Sequence, residues 1–312
     1  MESVHRFAMI HVMNPIPTAS RASSRPVVPR AKRPVGDLLR EWRQRRRMSQ
    51  LVLATEAEIS TRHLSFVESG RAHPSREMLM HLAEQLDVPL RARNALFVAA
   101  GYAPMYAERA LTDPQLDAAR EAVQLVLRGH EPYPALAIDR HWTMVAANGA
   151  LAPLVSRADP RLLEPPVNVM RLSLHPDGLA SHIVDWSGWR AHALQRVERQ
   201  AQASGDATLA ALVEELAGYP APAGADAEPE REPAPLADVV VPFSLRTDIG
   251  VLSFFSTTTV FGSPVDVTLS ELAIEAFFPA DTATAEALRA YQGKQAQPPT
   301  QTPTQTRAGG AI

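Results

Sequence analysis

The residues best suited to chemistry lie in one short segment, 60–71, which reads STRHLSFVESGR. Arg62 carries a guanidinium that could donate two parallel hydrogen bonds to O6 and N7 of a guanine. Thr61 and Phe66 could contact the methyl group of a thymine, and Ser65 lies one helical turn further along. Side chains of these types read base edges when they lie near the N-terminal end of a helix in the DNA major groove. The segment therefore predicts base contacts.

Neighbouring polar and basic residues could hold the phosphate backbone. Gln50 starts the preceding helical pattern and Ser60 is the first residue of the segment itself, so both could donate hydrogen bonds to phosphates. His63 lies inside the segment, and we expect it to contact the backbone of the duplex. Further phosphate charge could come from Arg43, Arg47 and Arg71. The alternative is that these arginines only solvate the surfaces of helices.

Two short helices joined by a tight turn would position these side chains. Apolar residues recur at helical spacing on both sides of Ile59. Ser49 and Ser60 each stand immediately before one of the two runs, where an N-cap residue belongs. This is the layout of a helix-turn-helix, with Ser60–Ser69 as the helix that enters the major groove. Further helical patterns predict an all-α, five-helix, repressor-like DNA-binding domain over residues 35–106.

The charge distribution agrees with a nucleic-acid-binding module at the N-terminal end. Residues 1–111 contain 17 Lys and Arg against 10 Asp and Glu, a net charge of +7, whereas the remaining residues carry −10. A basic domain on an acidic chain is the electrostatic footprint expected of such a module. Residues 1–34 are rich in proline and arginine without periodicity, which predicts a disordered basic arm.

The rest of the chain changes character after a predicted linker helix at 107–130. Short alternating segments at 135–139, 143–147, 238–246 and 250–259 predict strands, and helical patterns lie between them. This order predicts an α+β domain over residues 131–290. Leu272, Ile274 and Phe277 indicate a final helix, after a short strand around 265–268. Residues 220–235 are expected to form a flexible loop and residues 291–312 a disordered tail.

Other classes of protein find little support in the sequence. The chain has no cysteine, which excludes disulfides and thiolate metal sites and fits a reducing compartment. It has no HExxH pair, no glycine-rich phosphate loop and no G-x-S-x-G elbow. No apolar run is long enough to span a bilayer. We therefore expect a cytoplasmic, nucleoid-associated protein that is not an enzyme and has no metal, no cofactor and no membrane partner.

The segment MSQLVLATEAEIS-TRHLSFVESGRAHPS resembles the helix-turn-helix of the XRE regulators. The Ser-Gln start, the small residue four positions after the Gln and the Glu-x-Gly at the close carry the resemblance. Glu58 departs from the pattern, since the family usually has Gly at this turn position. A non-glycine residue at positive φ costs about 1–2 kcal/mol, so the turn is either strained or built differently.

The C-terminal part is similar to the MmyB-like branch of the same regulators. The resemblance spans residues 35–290 and rests on LRGHEPYPALAIDRHWTMVAAN, LHPDGL, DWSGWRAH and LSFFSTTTVFGSPVDVTLSELAIEAFFPAD. It implies a PAS-like domain that binds a small apolar ligand such as a fatty acid. The expected lining residues, each explained equally well as ordinary core, are Leu136, Ile138, Trp142, Val145, Trp186, Trp189 and Phe254. The candidates for holding a head group, among which the sequence does not choose, are Arg171, His175, His182, Arg190 and His192.

The leading hypothesis is a sequence-specific DNA-binding transcription regulator whose PAS-like domain senses a small apolar ligand. A homodimer would bind a two-fold site on double-stranded DNA, with the recognition helices about one duplex turn apart. One alternative is an enzyme or ligand carrier that uses its helical domain for protein contacts. Another is a regulator whose C-terminal domain only dimerises.

Overall fold

The computed structural model describes residues 33–223, 242–262, 264 and 266–295. Almost all of the predicted basic arm, residues 224–235 of the predicted loop and residues 296–312 of the predicted tail lie outside these ranges. Two units are present in the described chain. A bundle of five helices comes first, and an α+β unit built on one antiparallel sheet follows it. This order confirms the fold class that the sequence predicted.

Five consecutive helices form the N-terminal unit. They are α1 Val35–Arg45, α2 Gln50–Glu56, α3 Thr61–Glu68, α4 Arg76–Gln85 and α5 Leu90–Ala99. The hydroxyl of Ser49 accepts a hydrogen bond from the Val52 amide, and that of Ser60 accepts one from the His63 amide. These are the N-caps that the sequence predicted for the two helices of the motif. The fully buried side chains at the centre of the unit are Leu39, Leu53, Leu64, Leu82 and Phe97.

A buried carboxylate, that of Glu68, ties α1, α2 and α3 together. Its side chain is only 1% exposed and accepts hydrogen bonds from Arg43 Nε at 2.6 Å and Arg43 Nη2 at 2.9 Å. The Gln50 amide donates to the same carboxylate at 2.8 Å, and Arg40 lies 3.6 Å away. Burial raises the pKa of Glu68, but the hydrogen bonds from Arg43 and Gln50 outweigh burial and lower the pKa below its ordinary value of 4.5.

Gly36 lets α1 approach the end of α3 closely. A Cβ atom at this position would lie 2.5 Å from the Val67 carbonyl oxygen and 2.6 Å from that of Glu68. Any larger residue would therefore push α1 away from the carbonyl groups that end α3. The first helix is held against the recognition helix both by this contact and by the Glu68 carboxylate.

The turn between α2 and α3 places a non-glycine residue at positive φ. Glu58 adopts a φ of +51°, in the left-handed region that favours glycine. Its amide donates to the Thr55 carbonyl, and the Ile59 amide donates to that of Ala54, so the turn closes with satisfied hydrogen bonds. A glutamate thus takes the left-handed position at which the sequence resemblance leads us to expect glycine.

The C-terminal unit contains a five-stranded antiparallel sheet. Its strands are β1 Ala135–Ile138, β2 Met144–Ala147, β3 Phe243–Thr247, β4 Gly250–Val260 and β5 Ala273–Pro279. The order across the sheet is β2-β1-β5-β4-β3, so the last strand in the sequence lies at the centre. The helices of this unit are α6 Asp117–Gly129, α7 Ala152–Val155, α8 Val169–Leu174, α9 Trp186–Ser204, α10 Ala207–Ala217, α11 Val267–Ser270 and α12 Thr282–Gln295.

The two faces of the sheet pack against different helices. On the face that we call outer, Val123 and Leu127 of α6 pack with Ala137 and Ile274. On the opposite, inner face, a larger core contains β1, β3 and β4 residues together with α8, α9 and α10. Alternate residues of β1 therefore enter two separate cores, as the two-residue period of a strand requires.

The prediction for residues 265–277 is wrong. The expected final helix is the central strand β5, in which Ile274 faces the outer core and Phe277 contacts the inner one. The strand expected around 265–268 is instead the short helix α11, and the last helix is α12, which continues to Gln295. A strand buried on both faces reads as an apolar run, which periodicity alone cannot tell from a buried helix.

Replacing Glu58 by glycine should stabilise the N-terminal unit by about 1 kcal/mol, because glycine adopts positive φ without the steric cost of a Cβ atom. Urea unfolding of the purified protein measures this change. Glu58→Ala is the matched control, since it removes the same charged side chain but keeps the Cβ atom. An equal gain in both variants would trace the effect to the charge and contradict the strain at this turn.

Replacing Glu68 by glutamine should destabilise the protein by on the order of 3 kcal/mol at neutral pH. The pKa of Glu68 is lowered in the folded state, so its contribution is present above the ordinary pKa of 4.5 and is lost as the pH falls below that value. The difference in unfolding free energy between wild type and variant should therefore shrink at acid pH. Glu56→Gln, at an exposed position of α2, is the control. A difference that does not change with pH would contradict this role of the carboxylate.

Candidate nucleic-acid and ligand interfaces

The first turns of α3 present a continuous polar surface. Arg62 is exposed, whereas Thr61, Ser65 and Phe66 are half-buried, and the apolar side of the helix is covered by the core. All four residues predicted to contact bases therefore share the accessible side of the recognition helix. His63 is half-buried beside them, and its backbone amide is used by the Ser60 cap.

Two arginines lie against one aromatic ring on this surface. The Arg62 Cζ atom is 5.3 Å from the centre of the Phe66 ring, and the Arg71 Cζ atom is 5.9 Å from it. Within the part of the chain that the structure describes, neither guanidinium has a carboxylate partner. Cation–π contacts at exposed sites contribute about 0.5–1 kcal/mol and leave the donor hydrogens free. The ring thus orients two uncompensated cations toward the solvent.

Arg43, which the sequence analysis expected to contribute phosphate charge, lies largely buried in the domain. Its side chain is 11% exposed, and its donors are used by the Glu68 carboxylate and by the Met48 carbonyl at 2.9 Å. The hydrogen bond to Glu68 raises the pKa of Arg43 further. Arg43 thus positions the recognition helix from inside the domain, where its donors are used within the protein and not at a DNA phosphate.

The remaining predicted phosphate contacts lie around α3. Gln50 donates one amide hydrogen to Glu68, and the second hydrogen of that amide remains available. Arg47 is exposed just beyond α1, at a φ of +56°. The hydroxyl of Ser60 accepts the cap hydrogen bond and can still donate its own hydrogen.

The predicted ligand-lining residues fall on both faces of the sheet. Leu136, Ile138, Trp142, Trp186 and Phe254 are buried together in the inner core. Trp189 lies half-buried at its edge. Val145 lies on the outer face, where it lines a small, open groove between α6 and the sheet. The structure therefore brings together most of this set and separates Val145 from it.

Two of the predicted head-group residues, Arg171 and His182, have different partners. Arg171 forms two hydrogen bonds, of 2.7 and 2.8 Å, to the Glu215 carboxylate on α10, so its charge is compensated. His182 lies near Arg157, and burial together with that arginine lowers the pKa of His182. Neither residue is part of the buried inner core.

Arg196 is a residue that the sequence analysis missed. It lies on α9, and its Nη2 atom donates to Glu275 on β5 at 2.6 Å and to Thr258 on β4 at 3.2 Å. Its guanidinium also lies over the Trp142 ring, 4.8 Å from the ring centre. The sequence did contain a signal for this pair. Glu275 lies inside the apolar run LAIEAFF, and a buried glutamate requires a cationic partner such as Arg196.

A separate set of polar contacts joins the two units. Arg91 of α5 donates from Nε and Nη2 to both oxygens of the Glu271 carboxylate, each at 2.8 Å. It also contacts Glu108 of the linker, and the hydrogen bond to Glu271 raises the pKa of Arg91. The linker is fixed to the second unit as well, since Arg109 Nη1 lies 2.9 Å from the buried Asp266 carboxylate.

Comparisons with known proteins agree with this architecture. A family model described as "MmyB-like transcription regulator ligand binding domain" matches residues 119–290, and one described as "Helix-turn-helix" matches residues 39–92. None of the curated proteins matches the chain. Among the described residues, no helix combines the length and apolar character that a membrane crossing needs.

A solved structure entitled "Structure of an RNA-binding Light-Oxygen-Voltage Receptor" is similar at 13% sequence identity. The alignment covers 83% of this chain and 62% of that one, with a TM-score of 0.25, so no conclusion is drawn from it. The family match does show membership, because the model of the ligand-binding domain alone spans more than half of the 312 residues. The chain belongs to the MmyB-like transcription regulators, in which an XRE-type helix-turn-helix DNA-binding domain is joined to a ligand-binding domain.

Proposed function

We propose that this regulator reads a specific two-fold DNA site through α3 and responds to a small apolar ligand in its C-terminal domain. The observation that carries the DNA part is the pair of uncompensated guanidinium groups on the Phe66 ring. Other arginines of the domain, such as Arg43 and Arg91, are bound to carboxylates. Arg62 and Arg71 therefore have their charge available for nucleic acid.

The positions of these groups assign different tasks to them. Arg62 lies in the first turn of α3, where side chains reach base edges, and would bond O6 and N7 of a guanine. Thr61 and Phe66 would contact a thymine methyl group beside it. Arg71 follows the end of α3 and would bind phosphate, as would the groups at the edges of this surface, Arg47, Gln50, Ser60 and His63.

Two copies of the chain are needed for a two-fold site. Dimeric helix-turn-helix proteins place their recognition helices about 34–36 Å apart, one turn of the duplex. A rigid joint between the domains would fix this distance, because the orientation of each DNA-binding domain then follows that of its ligand-binding domain. Homodimer formation and cytoplasmic localisation both stay predictions of this proposal.

We infer that the ligand is an apolar molecule of the class that includes fatty acids, held at the inner face of the sheet. The inner core supplies apolar and aromatic side chains, among which Trp186 and Phe254 are buried and Trp189 forms the edge. The match to a ligand-binding-domain family supports this reading over a domain that only dimerises and over an enzyme or carrier. That the ligand belongs to the fatty-acid class rests on the sequence resemblance.

The ion pair between Arg91 and Glu271 supplies a route from ligand to DNA. Glu271 precedes the buried Leu272 and the central strand β5, whose residues contact the inner core. A shift of β5 upon ligand binding would move the carboxylate that holds α5. The ligand would then change the population of the domain arrangement that fits the DNA site.

Replacing Arg62 by alanine should cost about 1–3 kcal/mol of discrimination at one base position, because the bidentate contact to guanine is lost. Replacing Arg71 by alanine should weaken binding to all sequences alike and reduce the slope of log K against log salt by about 1. Binding to the operator and to single-base variants over a range of salt concentrations separates the two effects. If Arg62→Ala weakens specific and random DNA equally, Arg62 contacts only phosphate.

Replacing Glu271 by glutamine should uncouple the domains while both of them still bind their partners. The glutamine removes the negative charge of the bidentate pair, so the coupling between ligand and DNA should weaken. The ratio of operator affinities with and without ligand should move toward one, by about tenfold for each 1.4 kcal/mol of coupling free energy lost. Operator affinity with and without lauric acid, a probe of the fatty-acid class, measures this coupling. Hydrogen exchange in residues 101–110 should accelerate in the same variant.

The control for this experiment is Glu121→Gln, an equivalent change at an exposed position of α6. It should leave both the coupling and the exchange rates unchanged. Full coupling in the Glu271→Gln protein would show that the signal does not pass through this ion pair.

A further inference from the structure

One side of α6 is apolar and yet lies open to solvent. Leu125 is 67% exposed and Val126 is 48% exposed. Ala118, Ala122 and Gly129 are exposed on the same side, and a Cβ atom at Gly129 would meet nothing within 4 Å. We call these five residues the open face of α6. Exposed apolar residues that lie together, and not singly, point to contact with another molecule.

The fold of this chain uses only the other side of the helix. Val123 and Leu127 are 4% and 0% exposed and pack against the outer face of the sheet. Because an α-helix turns by about 100° per residue, Leu125 points about 160° away from Leu127. The helix is thus apolar on two nearly opposite sides, of which one is buried within the chain and the other is the open face.

The open face has the spacing of a coiled-coil seam. Ala118, Ala122, Leu125 and Gly129 are separated by four, three and four residues, the alternation of a and d positions. If two α6 helices pack antiparallel around a two-fold axis, Ala122 faces the partner's Leu125, and Ala118 faces the partner's Gly129. A small residue then receives the leucine, and small residues at both ends let the two helices approach closely.

The charges beside the open face suit the same arrangement. Glu121 and Arg128 flank the seam on one side, and both are exposed. Neither side chain has an ion-pair or hydrogen-bond partner among the residues that the structure describes. In the antiparallel arrangement, Glu121 lies beside the partner's Arg128, and Arg128 beside the partner's Glu121. In a parallel pair, Glu121 would instead face the partner's Val126, and the charge would stay without a partner.

We propose that the open face of α6 is the contact through which two copies of the chain form a dimer, with the two helices antiparallel across a two-fold axis. This inference rests on the proposed function, which needs two copies on a two-fold DNA site. A two-fold contact uses the same patch on both subunits, so each complementary pair of residues occurs twice. The open face meets this condition, because its apolar and charged positions are complementary to themselves.

The place of α6 in the chain connects this contact to the DNA-binding domains. The helix begins at Asp117, just after the linker that Arg109 fixes to the buried Asp266. Its thirteen residues span about 20 Å, and in an antiparallel pair the two linkers enter at opposite ends. The two DNA-binding domains would therefore lie on opposite sides of the two-fold axis, as a two-fold DNA site requires.

Replacing Leu125 by aspartate should weaken the dimer of the full-length protein at least about 100-fold, because a charge would be buried at the centre of the contact. Sedimentation equilibrium without DNA measures the dissociation constant, and the circular dichroism spectrum should stay unchanged because Leu125 is exposed within one chain. Leu51→Asp is the matched control, since Leu51 is a helical leucine that is 64% exposed in the DNA-binding domain. This control should keep the wild-type dissociation constant.

Two outcomes of this measurement would contradict the proposal in different ways. A Leu125→Asp protein that dimerises like the wild type would overturn the open face as the contact and leave the proposed DNA function standing. A wild-type protein that is monomeric in solution and binds its operator as a single copy would overturn both.

Charge reversal tests which residues face each other. Glu121→Arg or Arg128→Glu alone brings like charges together at two symmetric places and should weaken the dimer about tenfold or more. The double variant restores both pairs and should return to within about threefold of wild type. The neutral change Glu121→Gln should have an effect below about threefold, because exposed ion pairs contribute little. No recovery in the double variant would contradict the antiparallel register.

Cysteine cross-linking tests the register independently, because the chain has no cysteine of its own. A mixture of Ala118→Cys and Gly129→Cys proteins should form a disulfide-linked heterodimer upon mild oxidation, after the subunits have exchanged. Neither protein alone should cross-link, since the two copies of either position lie about 16 Å apart along the helices, beyond the reach of a disulfide. A covalent homodimer of the Ala118→Cys protein would overturn the antiparallel arrangement.

Discussion

The arrangement of the DNA-binding domain depends on one buried carboxylate, that of Glu68. A carboxylate inside a protein is stable only where several donors converge on it. Here the donors come from α1 and α2, while Glu68 ends α3, so the three helices can satisfy it in a single arrangement. Gly36 permits the close approach that this arrangement requires. The orientation of α3 within the domain thus follows from an interaction on the buried side of the helix.

A carboxylate bound by an arginine recurs at two other places, the junction between the domains and the interior of the ligand-binding domain. Arg91 and Glu271 form a bidentate pair between the domains, and Arg196 and Glu275 form one inside the ligand-binding domain. The carboxylates of Glu271 and Glu275 are therefore each compensated by an arginine. Arg62 and Arg71 have no carboxylate partner in the described chain and share the Phe66 ring, and for this reason we propose the surface of α3 as the nucleic-acid interface.

The central strand connects these features physically. β5 lies between β1 and β4, begins just after Glu271, carries Glu275 on its inner face and places Ile274 in the outer core. A change at the inner face cannot move this strand without affecting both cores, because protein interiors are densely packed. In the proposed mechanism, a shift of this strand would reach α5 through the ion pair between Glu271 and Arg91.

The sequence by itself determined the helix-turn-helix and the residues exposed on α3, because caps, turns and helical periodicity act over a few neighbouring residues. It also identified the α+β unit and its β1–β2 hairpin for the same reason. Tertiary structure alone decided that residues 273–279 form a strand and that Arg43 lies inside the domain. The decisive partners are far apart along the chain: 25 residues separate Arg43 from Glu68, 79 separate Arg196 from Glu275, and 180 separate Arg91 from Glu271. No local pattern encodes such pairings, since burial and the long-range contacts that compensate it arise only when the chain is folded.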